Sequence, residues 1–157
     1  MIVPDVNLLL YAYDSTSPHH PLARDWWQAA LSGNEGVGLT SISIFGFVRV
    51  GTNRRVFRNP MTAAEAVGHV RSWLNQPLVR ILTPGPDHVL RVCDLLVSLS
   101  TAGNLVTDAQ LAATAMEHNA VLHTADGDFS RFAGLQWFNP LTRAASRSSS
   151  RSRGRSP

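Results

Sequence analysis

Two periodicities alternate along the chain. Short apolar and β-branched runs at residues 2–3, 37–40, 79–82, 120–124 and 136–138 read as buried strands, each flanked by turn-forming residues. Between them, apolar positions recur every three or four residues over 7–13, 21–31, 42–53, 63–75, 88–100 and 108–118, the period of a helix packed on one face. Thr62 ahead of Ala63-Ala64-Glu65 has the form of a capping box, and Thr107 ahead of Asp108 reads as another helix start. Strands alternating with helices predict one α/β domain with a mostly parallel sheet and right-handed crossovers. Trp26, Trp27, Trp73 and the Leu8–Leu10 run with Tyr11 supply its apolar faces.

Composition narrows the setting. The 157 residues are enough for one domain with a real core. No apolar run approaches the ~20 residues that span a bilayer, and no basic segment precedes the first apolar stretch, so neither membrane insertion nor a signal peptide is expected. A single cysteine, Cys93, fits a reducing cytoplasm, and its apolar helical neighbours predict buried filler.

The net charge of +3 conceals an asymmetry. Residues 143–157, RAASRSSSRSRGRSP, hold five of the fourteen arginines and no acid; the remaining nine arginines face eleven acids. A domain over 1–142 is therefore expected to precede a disordered tail. That tail is either a solvated extension or a flexible attractor of phosphates. Lysine is absent altogether. That excludes a P-loop and Schiff-base catalysis, and it argues against receiver or haloacid-dehalogenase sites, which normally use a lysine.

In open α/β sheets, ligands bind beyond the carboxyl ends of the strands. Asp5 follows the first strand in IVPDVNLLLYA, Asp126 and Asp128 follow the fourth in LHTADGDF, and Asp108 opens a helix in NLVTDAQLAATA. Each has an ordinary explanation: Asp5, Asp108 and Asp126 as helix starts, and Asp128 as a first-turn acid favoured by the helix dipole. Taken together they suggest a cluster. Two carboxylates ~4 Å apart repel by about 4 kcal/mol at an effective dielectric near 20, and three together by roughly 10. Such a group stays ionised only around a cation, or else takes up protons. Oxygen ligands without histidine or cysteine select Mg²⁺ or Mn²⁺, ions that hold phosphodiesters and activate water. The six histidines show no zinc-type spacing, and Glu117 with His118 read as surface residues closing a helix.

The segments MIVPDVNLLLYA, FVRVGTNRRVF and TDAQLAATAMEHNAVLHTADGDFSRFAGLQWFNPL resemble a PIN-domain protein of the VapC toxin ribonuclease type, over residues 1–142. The resemblance implies a three-layer fold, a central mostly parallel sheet flanked by helices. It also implies a Mg²⁺-dependent endoribonuclease, with Mn²⁺ as a substitute, that cleaves structured RNA such as tRNA or rRNA and leaves a 3′-hydroxyl. Its metal-binding acids carry over onto Asp5, Asp108 and Asp126, with Asp128 close behind, and its orienting polar residues onto Asn7 and Thr124. Arg49 matches a basic position of the family, while Arg54 and Arg55 are either RNA-backbone contacts or solvated loop charges. A VapB-like antitoxin and a second toxin copy are the implied protein partners. One position departs. The family's further acid, three residues before the arginine, is Gly46 in SIFGFVRV, and Glu35 lies on the wrong side of the strand to replace it. The departure leaves a second reading open: a catalytically impaired PIN module that retains antitoxin or RNA binding.

Overall fold

The computed structural model describes residues 1–100, 102–103 and 105–142, so the arginine–serine tail lies outside the described residues. Among the described residues, strands β1 (Ile2–Pro4), β2 (Val37–Thr40), β3 (Val79–Leu82), β4 (Val121–His123) and β5 (Trp137–Phe138) form one parallel sheet in the order β3-β2-β1-β4-β5. The helices are α1 (Val6–Tyr13), α2 (His20–Ser32), α3 (Ser41–Gly51), α4 (Ala63–Leu74), α5 (His88–Ser98) and α6 (Leu105–Glu117), with a short 3-10 helix over Gly127–Arg131.

Alternation along β1 sorts the layers. Ile2 joins a core with Leu8, Leu9, Trp27, Phe47 and Trp73, which come from α1 to α4. Its neighbour Val3 faces the opposite core, built on Val92, Leu95 and the alanines of α6. The result is the expected three-layer arrangement, helices on both faces of a parallel sheet. Among the described residues no helix is long and apolar enough to cross a membrane.

Capping chemistry fixes several helix starts. Thr62 and Glu65 close a reciprocal capping box on α4. Thr40 accepts from Ser43 N to start α3, and the Ser43 hydroxyl donates to Pro4 O at 2.8 Å, which ties α3 to the end of β1. The expected start at Thr107 is corrected: α6 begins at Leu105, and Asp108 sits within its first turn. Cys93 is likewise exposed rather than buried, because α5 turns Val92 and Leu95 inward and presents the Cys93 side to solvent. Glu117 is also more than a surface residue. Its carboxylate accepts from Gly85 N at 3.0 Å and pairs with His88 Nδ1 at 3.1 Å, which ties α6 to the start of α5.

The sheet order matters for function. The chain leaves β1 toward β2 and β3, then crosses to the other side of β1 to enter β4. The β1/β4 boundary is thus the topological switch point, where the following loops separate and leave a crevice at the carboxyl edge.

Candidate metal-dependent nuclease site

Pairing of Pro4 with His123 sets the residues just beyond β1 and β4 side by side, and Asp5 N donates to His123 O at 2.9 Å. Asp5, only 8% exposed, caps α1 by accepting from Val6 N through Oδ1. Its other oxygen, Oδ2, accepts from the Thr124 hydroxyl at 2.7 Å. The same Thr124 oxygen accepts from Asp126 N at 2.9 Å. Asp126 in turn accepts from Asp128 N at 2.8 Å, which starts the 3-10 helix. Thr124 is fully buried and therefore couples the two strand-end acids rigidly. Asp5 thus caps α1 through one carboxylate oxygen and meets Thr124 through the other.

Asp108 approaches from the first turn of α6. Burial raises its pKa, and the carboxylates of Asp126 and Asp128 raise it further. The Asp5 carboxyl is pushed up to about 6, chiefly by burial and also by Asp108 and Asp126, against the lowering effect of its bonds from Thr124 and Val6. Asp5, Asp108 and Asp126, from three separate segments, thus lie close enough to interact electrostatically, and Asp128 acts on Asp108. Asn7 lies beside them, its Nδ2 at 3.5 Å from Thr124 Oγ1, while its buried Oδ1 has no hydrogen-bond partner among the described residues.

Among the described residues, no group of three or more histidine, cysteine, aspartate or glutamate side chains is placed to hold a metal ion by itself. The donor chemistry nevertheless fits one class of ion. Mg²⁺ is usually held by one or two carboxylates, with waters and phosphate oxygens completing its octahedron. A cation would offset the burial and mutual repulsion that raise Asp5 and Asp108, and the orphaned Asn7 oxygen is a further oxygen donor for an ordered ligand or water.

Gly46, where the resemblance led to the expectation of an acid, is closely packed. Gly46 lies one turn beyond Ser43 on α3, and a β-carbon there would lie 2.6 Å from Val6 Cγ2, in the residue next to Asp5. Glu35 is engaged elsewhere, its carboxylate 2.9 Å from the N-terminal ammonium. Arg49 is exposed in the last turn of α3, and Arg54 and Arg55 are exposed in the loop that follows. None of the three is ion-paired among the described residues.

Sequence reasoning missed Ser43 and Val6, whose roles depend on the α1–α3 crossing, and also His123. The His123 imidazole accepts from Trp26 Nε1 at 3.0 Å, and burial pushes its pKa down to about 4, so it stays neutral beside the acids' strand.

Comparison with known proteins agrees with the fold. The PIN domain family model matches residues 2–135. The chain is 48% identical over 141 residues to ribonuclease VapC33 of Mycobacterium tuberculosis, covering 90% of this chain and 99% of that one. It is 38% identical over 140 residues to ribonuclease VapC37 of the same organism, covering 89% and 97%. Among solved structures, VapC20 of M. tuberculosis, described as a toxin that cleaves the sarcin–ricin loop, superposes with a TM-score of 0.64 at 20% identity, covering 86% of this chain and 96% of that one. VapBC2 from Rickettsia felis, bound to a DNA fragment from its promoter, gives 0.64 at 18% identity, covering 88% and 98%.

Proposed function

Because this chain belongs to the PIN-domain family, and within it to the VapC ribonucleases of toxin–antitoxin systems, we propose that it is a Mg²⁺-dependent endoribonuclease toxin acting on structured RNA in the cytoplasm. The observation that carries this reading is the Thr124 hydroxyl, which holds Asp5 at one bond and Asp126 at another in the crevice that Asp108 also enters. A cluster of mutually repelling acids is costly for a domain that only binds a partner, and this counts against the impaired-module reading.

Asp5, Asp108 and Asp126 are the residues that would hold the ion, with Asp128 in support and Mn²⁺ as a substitute. When bound, the ion supplies positive charge to a phosphate oxygen and acidifies the attacking water. The chain's own residues do the rest. Val6 N and the Thr124 hydroxyl fix Asp5 in one orientation, so no reorganisation is needed when substrate arrives. Asp5, whose carboxyl is pushed up to about 6 chiefly by burial in the metal-free protein, is the acid whose ionised form a bound cation would most favour. Asn7 steadies Thr124 from the α1 side. Arg49, Arg54 and Arg55 supply unpaired guanidinium groups for the RNA backbone, a sequence-independent attraction.

The partners follow from the relatives. VapBC assemblies among the structural neighbours support a VapB-like antitoxin for this toxin. The toxin itself is read as a homodimer, and its substrate as a tRNA or rRNA. The test is incubation of purified protein with a pool of structured RNAs in Mg²⁺, Mn²⁺ or EDTA, with and without the antitoxin encoded beside it. A metal-dependent cut silenced by the antitoxin is the expected result. Failure to cleave at any metal concentration, with the antitoxin still bound, returns the chain to a binding role.

A further inference from the structure

The six phenylalanines, four tryptophans and two tyrosines all lie among the described residues, and only one of them, Phe45 on α3, is exposed. Its ring is 69% exposed and meets no other ring among the described residues. A single exposed apolar side chain is ordinary by itself. The place of this one is not. Two residues before it, the Ser43 hydroxyl donates to Pro4 O at 2.8 Å. One residue after it, a β-carbon on Gly46 would lie 2.6 Å from Val6 Cγ2. Pro4 and Val6 flank Asp5, so the backbone that carries the Phe45 ring is held on both sides against the neighbours of a candidate metal-binding acid.

The ring also has a cation beside it. At 100° per residue, Arg49 lies about 40° round α3 from Phe45, on the side toward Gly46, and one turn or ~6 Å further along the axis. Arg49 is exposed and is not ion-paired among the described residues. One turn back, the exposed neighbour of Phe45 is Ser41. Arg54 and Arg55, also exposed, continue the line in the loop beyond the helix.

We propose that the Phe45 ring is the platform on which an unpaired base next to the scissile phosphate stacks, while Arg49 holds the backbone of the same strand. This deepens the nuclease reading above and rests on it. The chemistry of the face selects a nucleotide. A base offers a flat π face to the ring, and its phosphate offers an anion to the guanidinium one turn away. A protein partner needs a wider apolar surface than one ring between Ser41 and Arg49 provides. A base inside a duplex already stacks on both sides, so only one in a loop, a bulge or a free end has a face open to Phe45. The substrate class therefore narrows from structured RNA to structured RNA that is unpaired at the cut.

Fluorescence anisotropy in EDTA reads binding apart from cleavage. The probes are labelled oligoadenylate and oligouridylate, set against a fully paired RNA duplex of the same length. Both single strands should bind more tightly than the duplex. Phe45→Ala should weaken single-strand binding about 5- to 100-fold, with duplex binding and melting temperature unchanged. Phe45→Trp should bind as the native protein does, and Phe45→Leu should bind as weakly as Phe45→Ala. Arg49→Gln should weaken all three probes and reduce the salt slope by about 1. Native-strength binding of the single strands by Phe45→Ala overturns the platform and leaves the nuclease reading intact. Native-strength binding by Phe45→Leu also overturns it, because an apolar contact then suffices without a π face. Absence of both binding and RNA cleavage in the native protein overturns the two readings together. Loss of antitoxin binding or of self-association in Phe45→Ala, with oligonucleotide binding kept, assigns the ring to a protein partner and overturns the proposal.

Discussion

The Thr124 hydroxyl donates to Asp5 Oδ2 at 2.7 Å, a bond that joins residues 119 positions apart in the chain. It favours the ionised form of an acid that burial otherwise drives toward protonation.

Removing this bond should therefore be visible as a titration. In the metal-free protein the Asp5 carboxyl carbon, followed by NMR, should titrate near pH 6. Thr124→Val should move that midpoint upward by about one pH unit or more, because a hydrogen bond to a charged group contributes about 1.5–3 kcal/mol. Thr124→Ser keeps the donor and should titrate as the native protein does. An unchanged midpoint in Thr124→Val would show that the hydroxyl does not govern Asp5.

Asp5 should also make the metal-free fold less stable as pH rises. Its pKa is raised from 3.8 in the unfolded chain to about 6, so below the lower value both states are protonated and the group contributes nothing. Between the two values the unfolded chain releases its proton first, and stability falls by up to about 3 kcal/mol at and above the higher one. Asp5→Asn removes this cost. Thermal melts without divalent ions should show the variant gaining on the native protein from about pH 4 to pH 7 and matching it near pH 3. His123 acts in the opposite direction. Its pKa is depressed from 6.5 to about 4, so it weakens the fold as pH falls through that interval, equally in both proteins. A constant gap across the range would contradict the assignment.

Much of this was legible in the sequence, and the exceptions share a cause. Strand ends, the helical periods, and the placing of Asp5, Asp108 and Asp126 at element starts are local patterns, and the sheet topology brings those acids to one edge. Thr107, Cys93 and Glu117 were misread because their environments come from other elements. Helix α6 starts earlier than its local cap signal, α5 buries His88, Val92 and Leu95 rather than Cys93, and Glu117 is claimed by His88 and Gly85 across 29 and 32 residues. The glycine that replaces an acid was visible, but the valine that accounts for it was not.

Gly46 and Val6 give the third prediction. A side chain at Gly46 meets a β-branched residue with one favoured rotamer, so Gly46→Glu alone should destabilise the fold by about 1–3 kcal/mol in denaturant unfolding. The double variant Gly46→Glu/Val6→Ala should recover most of that loss, and calorimetric titration should show it binding Mg²⁺ more tightly than Val6→Ala alone. Equal affinity for the two would mean that water or Asp128 already occupies the fourth acid's place.

The tryptophan core beneath α1 offers a test independent of the acids. Trp73 is 1% exposed, and its Nε1 donates to the Tyr13 hydroxyl at 2.7 Å. Tyr13→Phe leaves that donor buried and unpaired and should cost about 1–3 kcal/mol, read as a lower denaturation midpoint with an unchanged slope. A midpoint equal to the native one would indicate that water replaces the hydroxyl.

The central claim is that Asp5, Asp108 and Asp126 form one cation-dependent nuclease site, and single-turnover RNA cleavage by Asp5→Asn, Asp108→Asn and Asp126→Asn tests it most directly. Each variant, folded by its melting curve, is expected to lose at least about 100-fold in Mg²⁺, in line with the removal of a preorganised charge. The native protein is expected to fall as far in EDTA. Cleavage at the native rate by any of the three variants, or by the native protein in EDTA, would contradict it.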